Sequence, residues 1–414
     1  MDFRKSIYSV LDSISITVFS AIFGIAVAKV FSVEQFGMIA TVNMLSAFLS
    51  YATFGMNDGY AKICSEAKNR TIFVQSSIVH ILLIIVFVYL ALTFGFLNLY
   101  WKSKIEGFYA LAVVLALVTI LKSSSHMVLG VNLQTKKIFF SNVVMWLVVG
   151  ISWPFIYKIF PNWSSILAII FGFISSILFG LWFSISSGKN FFDFSLIKKC
   201  FFVGVPIAAS SLGYVFVFYI DRMFILFQHS ATEFGLYAFI LGLSSMTAAP
   251  SIAIASHLLT HFRHLHSAQK FLRLYKEIIK FVFIYVMLGL VVYIIVISIY
   301  PKLIELYFPQ FREAMPLIKP MLFGGLCMSL LNLLYNVLHS VNSTSDVIKI
   351  NILTVVCSLL FNSIVYASSG GLYLYAVATA ASYFLSLLVT ARIIYTMLKN
   401  RSKFEVVQRA DACV

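Results

Sequence analysis

Long apolar runs constrain this chain more than any other feature of its sequence. Twelve of them, each about 20 to 26 residues long, could cross ~30 Å of hydrocarbon as a helix. Apolar residues make up 61% of the chain and charged residues 11%, whereas soluble domains carry about 25% charged residues. The sequence therefore predicts an all-α polytopic membrane protein with twelve transmembrane helices. The predicted spans are residues 9–30, 37–57, 72–97, 106–130, 138–160, 164–186, 201–228, 233–257, 276–300, 316–341, 347–368 and 371–397.

An internal repeat divides the chain into two halves. The segment that begins at Phe36-Gly37 returns at Phe234-Gly235, and five of eleven positions are identical. Both copies occupy the same place in the hydropathy pattern, which is typical of transporters built from tandem repeats. We therefore predict an N-terminal six-helix lobe over residues 1–190 and a C-terminal six-helix lobe over residues 191–400. A basic cytoplasmic tail is predicted over residues 401–414.

The distribution of basic residues predicts the orientation. Most of the 30 Lys and Arg residues fall on one side of the predicted spans, which places both termini in the cytoplasm. An even number of spans per lobe gives both lobes the same orientation, related by a pseudo-two-fold axis along the membrane normal. The net charge of +15 follows from these short basic loops, so we expect no nucleic-acid partner. The first run lacks a small-residue cleavage site and is predicted to be a membrane helix rather than a signal peptide.

The sequence lacks the common motifs of enzyme chemistry. No GxxxxGK[ST] loop, HExxH motif, CxxC pair or GxSxG elbow is present, and such motifs supply the phosphate cradle, metal ligands or nucleophile of many enzymes. The five cysteines are scattered, so neither a disulfide nor a metal site is expected. We predict a secondary transporter with no catalytic residues and no cofactor.

Several spans carry polar residues at helical spacing. In the first two spans these residues recur every three or four positions and share one helix face. Small and hydroxyl residues often serve helix–helix packing, but an asparagine amide is costly in lipid unless it is satisfied. We therefore consider both packing and the lining of a hydrated substrate cavity. The cavity candidates are Ser13, Thr17, Asn43, Ser46, Ser50, Asn57, Ser211, Asn332 and Asn336.

Ionisable residues in or near the spans are a second group of candidates. Asp221 and Arg222 lie late in an apolar run, either as a pair anchored at the outer interface or as a gating or ion-coupling pair. Asp58 follows the polar face of the second span and is the other candidate for ion coupling or gating. Lys122 and His126 lie one turn apart in the fourth span. Lys122 is expected to snorkel, and His126 is either a satisfied packing residue or a proton or phosphate contact.

Two stretches resemble bacterial O-antigen flippases, in the polysaccharide transporter branch of the multidrug/oligosaccharidyl-lipid/polysaccharide exporter superfamily. They are residues 27–37, which end in Gln-Phe-Gly, and residues 219–237, which contain Asp221-Arg222 and Glu-Phe-Gly-Leu-Tyr. The resemblance implies two six-helix lobes around a central cavity, in the bacterial inner membrane. It also implies alternating-access transfer of an undecaprenyl-diphosphate-linked oligosaccharide from the cytoplasmic to the periplasmic leaflet.

The resemblance also implies partners and contacts. The expected partners are the lipid-linked oligosaccharide, anionic membrane lipids and other O-antigen assembly proteins. No Arg lies in the middle of the first two spans, so the diphosphate is expected near the interface. Its expected contacts are Lys62, Lys122, His126 and Arg222.

Two other functions remain open. A cation-coupled small-molecule or multidrug antiporter of the same superfamily would place acidic residues deep in its spans, and none is expected mid-span here. A membrane-embedded O-antigen polymerase would need a large extramembrane loop. The predicted spans leave no connecting loop longer than about 20 residues.

Overall fold

The computed structural model describes residues 3–50, 108–131, 134–184, 194–245, 271–340 and 344–411, together with Gly55, Asn57, Gly59, Ile63, Phe262 and Leu265. Within these ranges the regular structure is helical. The N-terminal half contains α1 (Phe3–Val30), α2 (Val33–Ser50), α3 (Phe108–Val131), α4 (Thr135–Ile159) and α5 (Ser164–Ser184). The next helices are α6 (Phe194–Gln228), α7 (described over 231–245) and α8 (Phe271–Tyr307). The last are α9 (Ile318–Ser340), α10 (Thr344–Ala367) and α11 (Leu372–Asp411).

Short 3₁₀ turns join some of these helices, at Pro161–Trp163 before α5 and at Pro309–Leu317 before α9. Six segments of the described chain are long and apolar enough to cross a membrane, and α1 and α3 contribute shorter apolar stretches. The predicted all-α, multi-pass membrane fold is confirmed. The third predicted span, residues 72–97, lies outside the described residues.

Three helices extend furthest beyond their predicted spans. The helix α6 begins at Phe194 rather than at residue 201, and α8 covers Phe271–Tyr307 rather than 276–300. The helix α11 continues to Asp411, so the predicted tail is helical over most of its length. The added segments contain charged residues such as Lys198, Lys302 and Lys403, and hydropathy alone therefore underestimated the length of these helices.

The chain divides into two compact units. Unit 1 contains Met1–Phe31 and Gln35–Leu212, and unit 2 contains Ser32–Glu34 and Gly213–Val414. The division falls inside α6, whereas the predicted boundary at residues 190/191 lies in a segment that the structure does not describe.

The internal repeat is visible in the local structure of both halves. Two residues separate α1 from α2 and also α6 from α7, and four residues separate α4 from α5 and also α10 from α11. Phe36 and Phe234 occupy the same position, three residues after the first residue of their helices. Gly37 and Gly235 are both buried there. Ser46 and Ser244, further along the same two helices, are also buried. The recurring sequence therefore marks a recurring helix start.

Within each unit the last helix packs against the two before it. In unit 1, α5 packs against α3 and α4, and α1 packs against α4. In unit 2, α11 packs against α9 and α10, while α8 packs against α9 and α11. Each unit has its own apolar core, around Val42, Ile166 and Ala112 in unit 1 and around Leu274, Leu331 and Leu338 in unit 2.

The polar face of α10 is part of the interior of unit 2. Asn351, Thr354, Ser358 and Asn362 are all buried, and Asn362 Nδ2 donates to the Ser358 carbonyl at 2.8 Å. On the neighbouring α11, Ser382 and Ser386 donate to carbonyls four residues earlier in their own helix. These hydroxyls satisfy themselves locally, which allows polar faces to pack without water.

A glycine fixes the distance between α4 and α5. A Cβ added at Gly172 would lie 2.5 Å from Val149 Cγ2 and 2.9 Å from the Met145 carbonyl oxygen. The second contact is with backbone, which cannot rotate away. By contrast, a Cβ at Gly150, on α4, would meet nothing within 4 Å.

We therefore expect Gly172→Ala to lower the thermal unfolding midpoint of the detergent-solubilised protein. Overpacking costs about 1–3 kcal/mol, which exceeds the ~0.5–1 kcal/mol that alanine contributes in a helix interior. The matched control, Gly150→Ala, should leave the midpoint unchanged or raise it. Equal midpoints for the two variants would show that α4 and α5 are not in close contact at Gly172.

Candidate functional site

A carboxyl–amide pair lies inside the helix bundle of unit 1. The Asn142 side-chain amide on α4 donates from Nδ2 to Asp12 Oδ1 on α1 at 2.8 Å. Asn142 is 1% exposed and Asp12 is partly buried. The two residues are 130 positions apart in the chain, so the pair forms only when α1 packs on α4. A carboxyl within a membrane span is costly and usually functional.

Lys122 on α3 provides the positive charge nearest this pair. Its Nζ lies 3.0 Å from Met145 Sδ and 4.7 Å from the centre of the Phe173 ring. Among the described residues it makes no ion pair within 4.0 Å, because the ion pairs found there are His229–Glu233, Arg273–Glu277 and Lys349–Asp346. The ammonium and the Asp12 carboxyl nevertheless attract each other electrostatically. Lys122 is therefore held inside unit 1 by a thioether and an aromatic ring, and does not snorkel to the interface.

His126 lies one turn further along α3 and belongs to a hydroxyl network. Its Nε2 lies 3.1 Å from Ser141 Oγ and 3.1 Å from Ser176 Oγ. The two serine hydroxyls are 2.7 Å apart, and Ser141 Oγ also donates to the Ser176 carbonyl at 3.0 Å. This network links α3, α4 and α5 and agrees with the interpretation of His126 as a satisfied packing residue.

Asp12 was not among the candidates from the sequence, which predicted no acidic residue in the middle of a span. Asp12 lies in the first predicted span and inside α1. It was overlooked because the serine and threonine positions around it dominated the polar pattern. The sequence signal that could have identified Asp12 is an ionisable residue inside an apolar run.

A second buried carboxyl lies in unit 2. Asp221 on α6 is 2% exposed, and its Oδ2 accepts a short hydrogen bond from the Tyr237 hydroxyl on α7. Its Oδ1 accepts from the backbone N–H of Arg222 at 2.8 Å. Thr379, on α11, is close enough to interact with both Asp221 and Tyr237. Of the two interpretations from the sequence, an interface anchor or a gating pair, neither anticipated that α7 and α11 would cover Asp221.

Arg222 lies beside this carboxyl with its side chain over an aromatic ring. Its guanidinium carbon is 4.5 Å from the centre of the Tyr219 ring. Arg222 Nε is buried and has no hydrogen-bond acceptor among the described residues. Stacking on Tyr219 offsets part of the cost of burying this group.

Neither polar cluster is repeated in the other half. By the alignment of Phe36 with Phe234, Asp221 corresponds to Phe23, and Tyr237 corresponds to Ile39. Asp12 corresponds in the same way to Ser210. The repeat therefore preserves the packing residues, and each half has its own ionisable cluster.

The predicted cavity residues have different environments. On α2, Asn43 is exposed, Ser46 is buried, and Ser50 Oγ donates to the Ala47 carbonyl at 2.7 Å. Asn57 Oδ1 accepts from Ser124 Oγ at 3.3 Å. Thr17 and Asn332 are partly buried. The side chains of Ser13, Ser211 and Asn336 and the residues Asp58 and Lys62 lie outside the described part of the chain.

The described residues contain no group of three or more His, Cys, Asp or Glu side chains placed to hold a metal ion. In the described part of unit 1, the partly buried Asp12 carboxyl has an amide as its hydrogen-bond partner and an ammonium that attracts it.

We expect Tyr237→Phe to destabilise the protein, because it leaves the buried Asp221 carboxyl without its hydroxyl donor. An unsatisfied buried group costs about 1–3 kcal/mol, measurable as a lower thermal midpoint in detergent. The control is Tyr383→Phe, which removes a hydroxyl that donates to the uncharged Val217 carbonyl at 3.1 Å. A larger loss for Tyr383→Phe than for Tyr237→Phe would contradict this assignment.

Comparisons with known proteins agree with the fold. No protein-family model matches the chain, and no curated protein matches it. Among solved structures, the chain is similar to an inward-facing multidrug resistance MATE transporter of the MOP superfamily, with a TM-score of 0.78, 11% identity and coverage of 94% of this chain and 95% of that one. An outward-facing MATE transporter of that superfamily matches with a TM-score of 0.67 and 13% identity, covering 97% and 96%.

A third similar structure is a MOP superfamily transporter from Pyrococcus furiosus, with a TM-score of 0.67, 13% identity and coverage of 96% and 95%. Its description states that the reverse polarity of its binding pocket suggests a different function. These likenesses show that the chain has the twelve-helix, two-lobe membrane fold of the transporters in this superfamily.

Proposed function

We propose that the chain is a cation-coupled secondary antiporter that works by alternating access. The observation that carries the proposal is the Asp12 carboxyl, which lies inside unit 1 with Asn142 Nδ2 at 2.8 Å and the Lys122 charge nearby. A structural carboxyl in so apolar a bundle would be expected to have several hydrogen-bond donors or a close ion pair. Asp12 instead has a neutral amide partner, which leaves its charge available for exchange.

The similar solved structures support a transport cycle of this kind. They include inward-facing and outward-facing states of MATE transporters, which are the two end states that alternating access requires. Their descriptions also favour small molecules as the cargo, because they name multidrug resistance transporters. A multidrug antiporter is therefore the first candidate for this chain.

The second candidate is the flippase for an undecaprenyl-diphosphate-linked oligosaccharide. Its support is the sequence resemblance of residues 27–37 and 219–237, together with a net charge of +15 that suits an anionic cargo. The Pyrococcus furiosus transporter, with its reversed pocket polarity, supports the idea that this fold can carry cargoes of different charge. In this candidate, too, Asp12 serves as the coupling carboxyl.

We revise the predicted diphosphate contacts in the light of their neighbours. Lys122 and His126 already have partners inside unit 1, and we assign them to the coupling cluster and to packing. Arg222 and Lys62 remain predicted contacts for the diphosphate.

Reconstituted vesicles separate the two cargoes. We would measure movement of a fluorescent cationic dye, ethidium, and of a fluorescent undecaprenyl-diphosphate oligosaccharide, each with and without an imposed ion gradient. Gradient-dependent movement of the dye alone supports the antiporter, and gradient-dependent movement of the lipid-linked oligosaccharide alone supports the flippase. Movement of either cargo at the same rate without a gradient would contradict cation coupling.

We expect Asp12→Asn to reduce gradient-driven transport by about a hundredfold. This corresponds to ~3 kcal/mol, the upper end of typical coupling energies. The asparagine can still hydrogen-bond to Asn142, so the fold and the thermal midpoint should be nearly unchanged. The matched control is Asp346→Asn, which removes a carboxylate paired with Lys349 at 3.4 Å on a partly exposed surface. That control should transport at the wild-type rate.

For the flippase we also expect Asn43→Leu to reduce oligosaccharide translocation without lowering expression. Asn43 is exposed although the neighbouring Val42 and Met44 are buried, so its amide is not needed for packing inside unit 1. The control is Ser298→Leu on α8, an exposed serine whose Oγ donates to its own helix at 2.9 Å. Aggregation of Asn43→Leu would show instead that Asn43 is a packing residue.

A further inference from the structure

The exposed face of α8 in unit 2 combines an apolar stripe with a basic end. The stripe consists of large exposed side chains that recur every three or four residues and so share one helix face. Its members are Phe283, Met287, Leu290 and Ile294. The same face continues towards the start of the helix with three exposed basic residues, Arg273, Lys276 and Lys280. Such a face matches a molecule with an apolar tail and an anionic head.

The length of the apolar stripe matches one leaflet of a bilayer. Lys280 and Leu290 are ten positions apart in α8, which is ~15 Å along a helix. This is about half of the ~30 Å hydrocarbon core of a bilayer. The stripe can therefore lie along the acyl chains of one leaflet while the basic end lies at the level of its phosphate groups.

The inner part of α11 adds to this basic surface. The ring centres of Tyr275 on α8 and Tyr395 on α11 are 6.5 Å apart. Lys276 follows Tyr275 directly, and the exposed Arg392 lies one turn before Tyr395. Tyrosine is enriched at membrane–water interfaces, which agrees with a position of this contact among the lipid headgroups. By the predicted orientation, these headgroups belong to the cytoplasmic leaflet.

Most of the positive charge on this surface is uncompensated. Arg273 has an acidic partner, because its Nε lies 3.8 Å from Glu277 Oε1. In the part of the chain that the structure describes, Lys276, Lys280 and Arg392 form no ion pair within 4.0 Å. The surface therefore carries a net positive charge, which an anionic headgroup complements.

A second copy of the chain suits this face less well than a lipid does. Two copies with the same orientation in a membrane would meet by a two-fold contact, in which each residue lies near its own counterpart. Contact through the exposed face of α8 would bring the basic ends of both copies together, and like charges repel. A lipid phosphate instead offers the opposite charge.

From these observations we propose that the basic end of α8, together with Arg392 of α11, binds an anionic phospholipid of the phosphatidylglycerol class. The lipid phosphate lies against Lys276 and Lys280, and its acyl chains follow the apolar stripe. The bound lipid links the ends of two helices that pack together in unit 2. The inference is independent of the proposed function, because it involves neither Asp12 nor the cargo.

The test counts bound lipids by native mass spectrometry of the full-length protein in detergent. Phosphatidylglycerol and phosphatidylcholine with identical acyl chains would be added at equal concentrations. We expect the wild type to bind phosphatidylglycerol in preference. The double substitution Lys276→Gln/Lys280→Gln should weaken this binding by about thirtyfold, because each lysine near an anionic lipid surface contributes about fivefold. Both lysines are exposed, so the variant should fold as the wild type does.

The matched control removes the same charge from the opposite end of the same region. Lys302 lies near the end of α8 and Lys319 near the start of α9, and both are exposed. The double substitution Lys302→Gln/Lys319→Gln should bind phosphatidylglycerol as the wild type does. Equal losses in the two double variants would overturn the inference, and so would equal binding of the two lipids by the wild type.

A thermal measurement and two other occupants complete the test. Phosphatidylglycerol should raise the thermal unfolding midpoint of the wild type and of the control, and that of Lys276→Gln/Lys280→Gln by less. A dimer in the native mass spectra that Phe283→Ala dissociates would show that a second copy covers α8, and would overturn the inference. Tighter binding of undecaprenyl diphosphate than of phosphatidylglycerol would also overturn it, by assigning the surface to a polyprenyl lipid.

Discussion

The structure depends on satisfying polar groups inside helix bundles that lipid surrounds. Lipid offers no hydrogen bonds, so a polar group in a span must find its partner within the protein. The hydroxyls of Ser382 and Ser386 do this within their own helix. The hydroxyls of Ser141 and Ser176 do it between helices, together with His126. These polar residues in the described spans therefore serve packing.

Asp12 and Asp221 illustrate two solutions to the same problem. Asp221 is enclosed by a tyrosine hydroxyl and the Arg222 backbone N–H, with the Arg222 side chain stacked on Tyr219. Asp12 has a single amide donor and a lysine that forms no close ion pair in the described bundle. More hydrogen-bond donors surround the carboxylate of Asp221 than that of Asp12. We therefore regard Asp12 as the better candidate for ion exchange, and Asp221 as a residue that ties α6 to α7.

The repeat explains why the two halves share a scaffold without sharing these clusters. Equal connections between corresponding helices, and Phe-Gly pairs with a buried glycine at corresponding helix starts, reproduce the same helix order in each half. The positions that correspond to Asp221 and Tyr237 are Phe23 and Ile39, which pack as apolar residues. The two halves therefore share their packing residues and their fold, but differ in their polar residues.

Much of the architecture followed from the sequence, while the candidate site did not. The helix that carries Asn351 and Ser358 agrees with the predicted span 347–368, because hydropathy is a local property of the chain. Lys122 was expected to snorkel and His126 had two open interpretations, since neither Met145 nor Ser176 is near them in the chain. The pairing of Asp12 with Asn142 could not be predicted for the same reason, because the two residues are 130 positions apart.

The sequence by itself determined that the chain lies in a membrane, that it is helical and that it has two similar halves. Hydropathy and repetition follow directly from the order of residues in the chain, and a lipid environment permits few alternatives to helices. Only the tertiary structure decided which ionisable groups meet. The packing of α1 on α4, and of α3 beside them, sets the distances between carboxyl, amide and ammonium. Because electrostatic interaction depends on those distances through space, the contacts among these groups could not be read from positions in the chain.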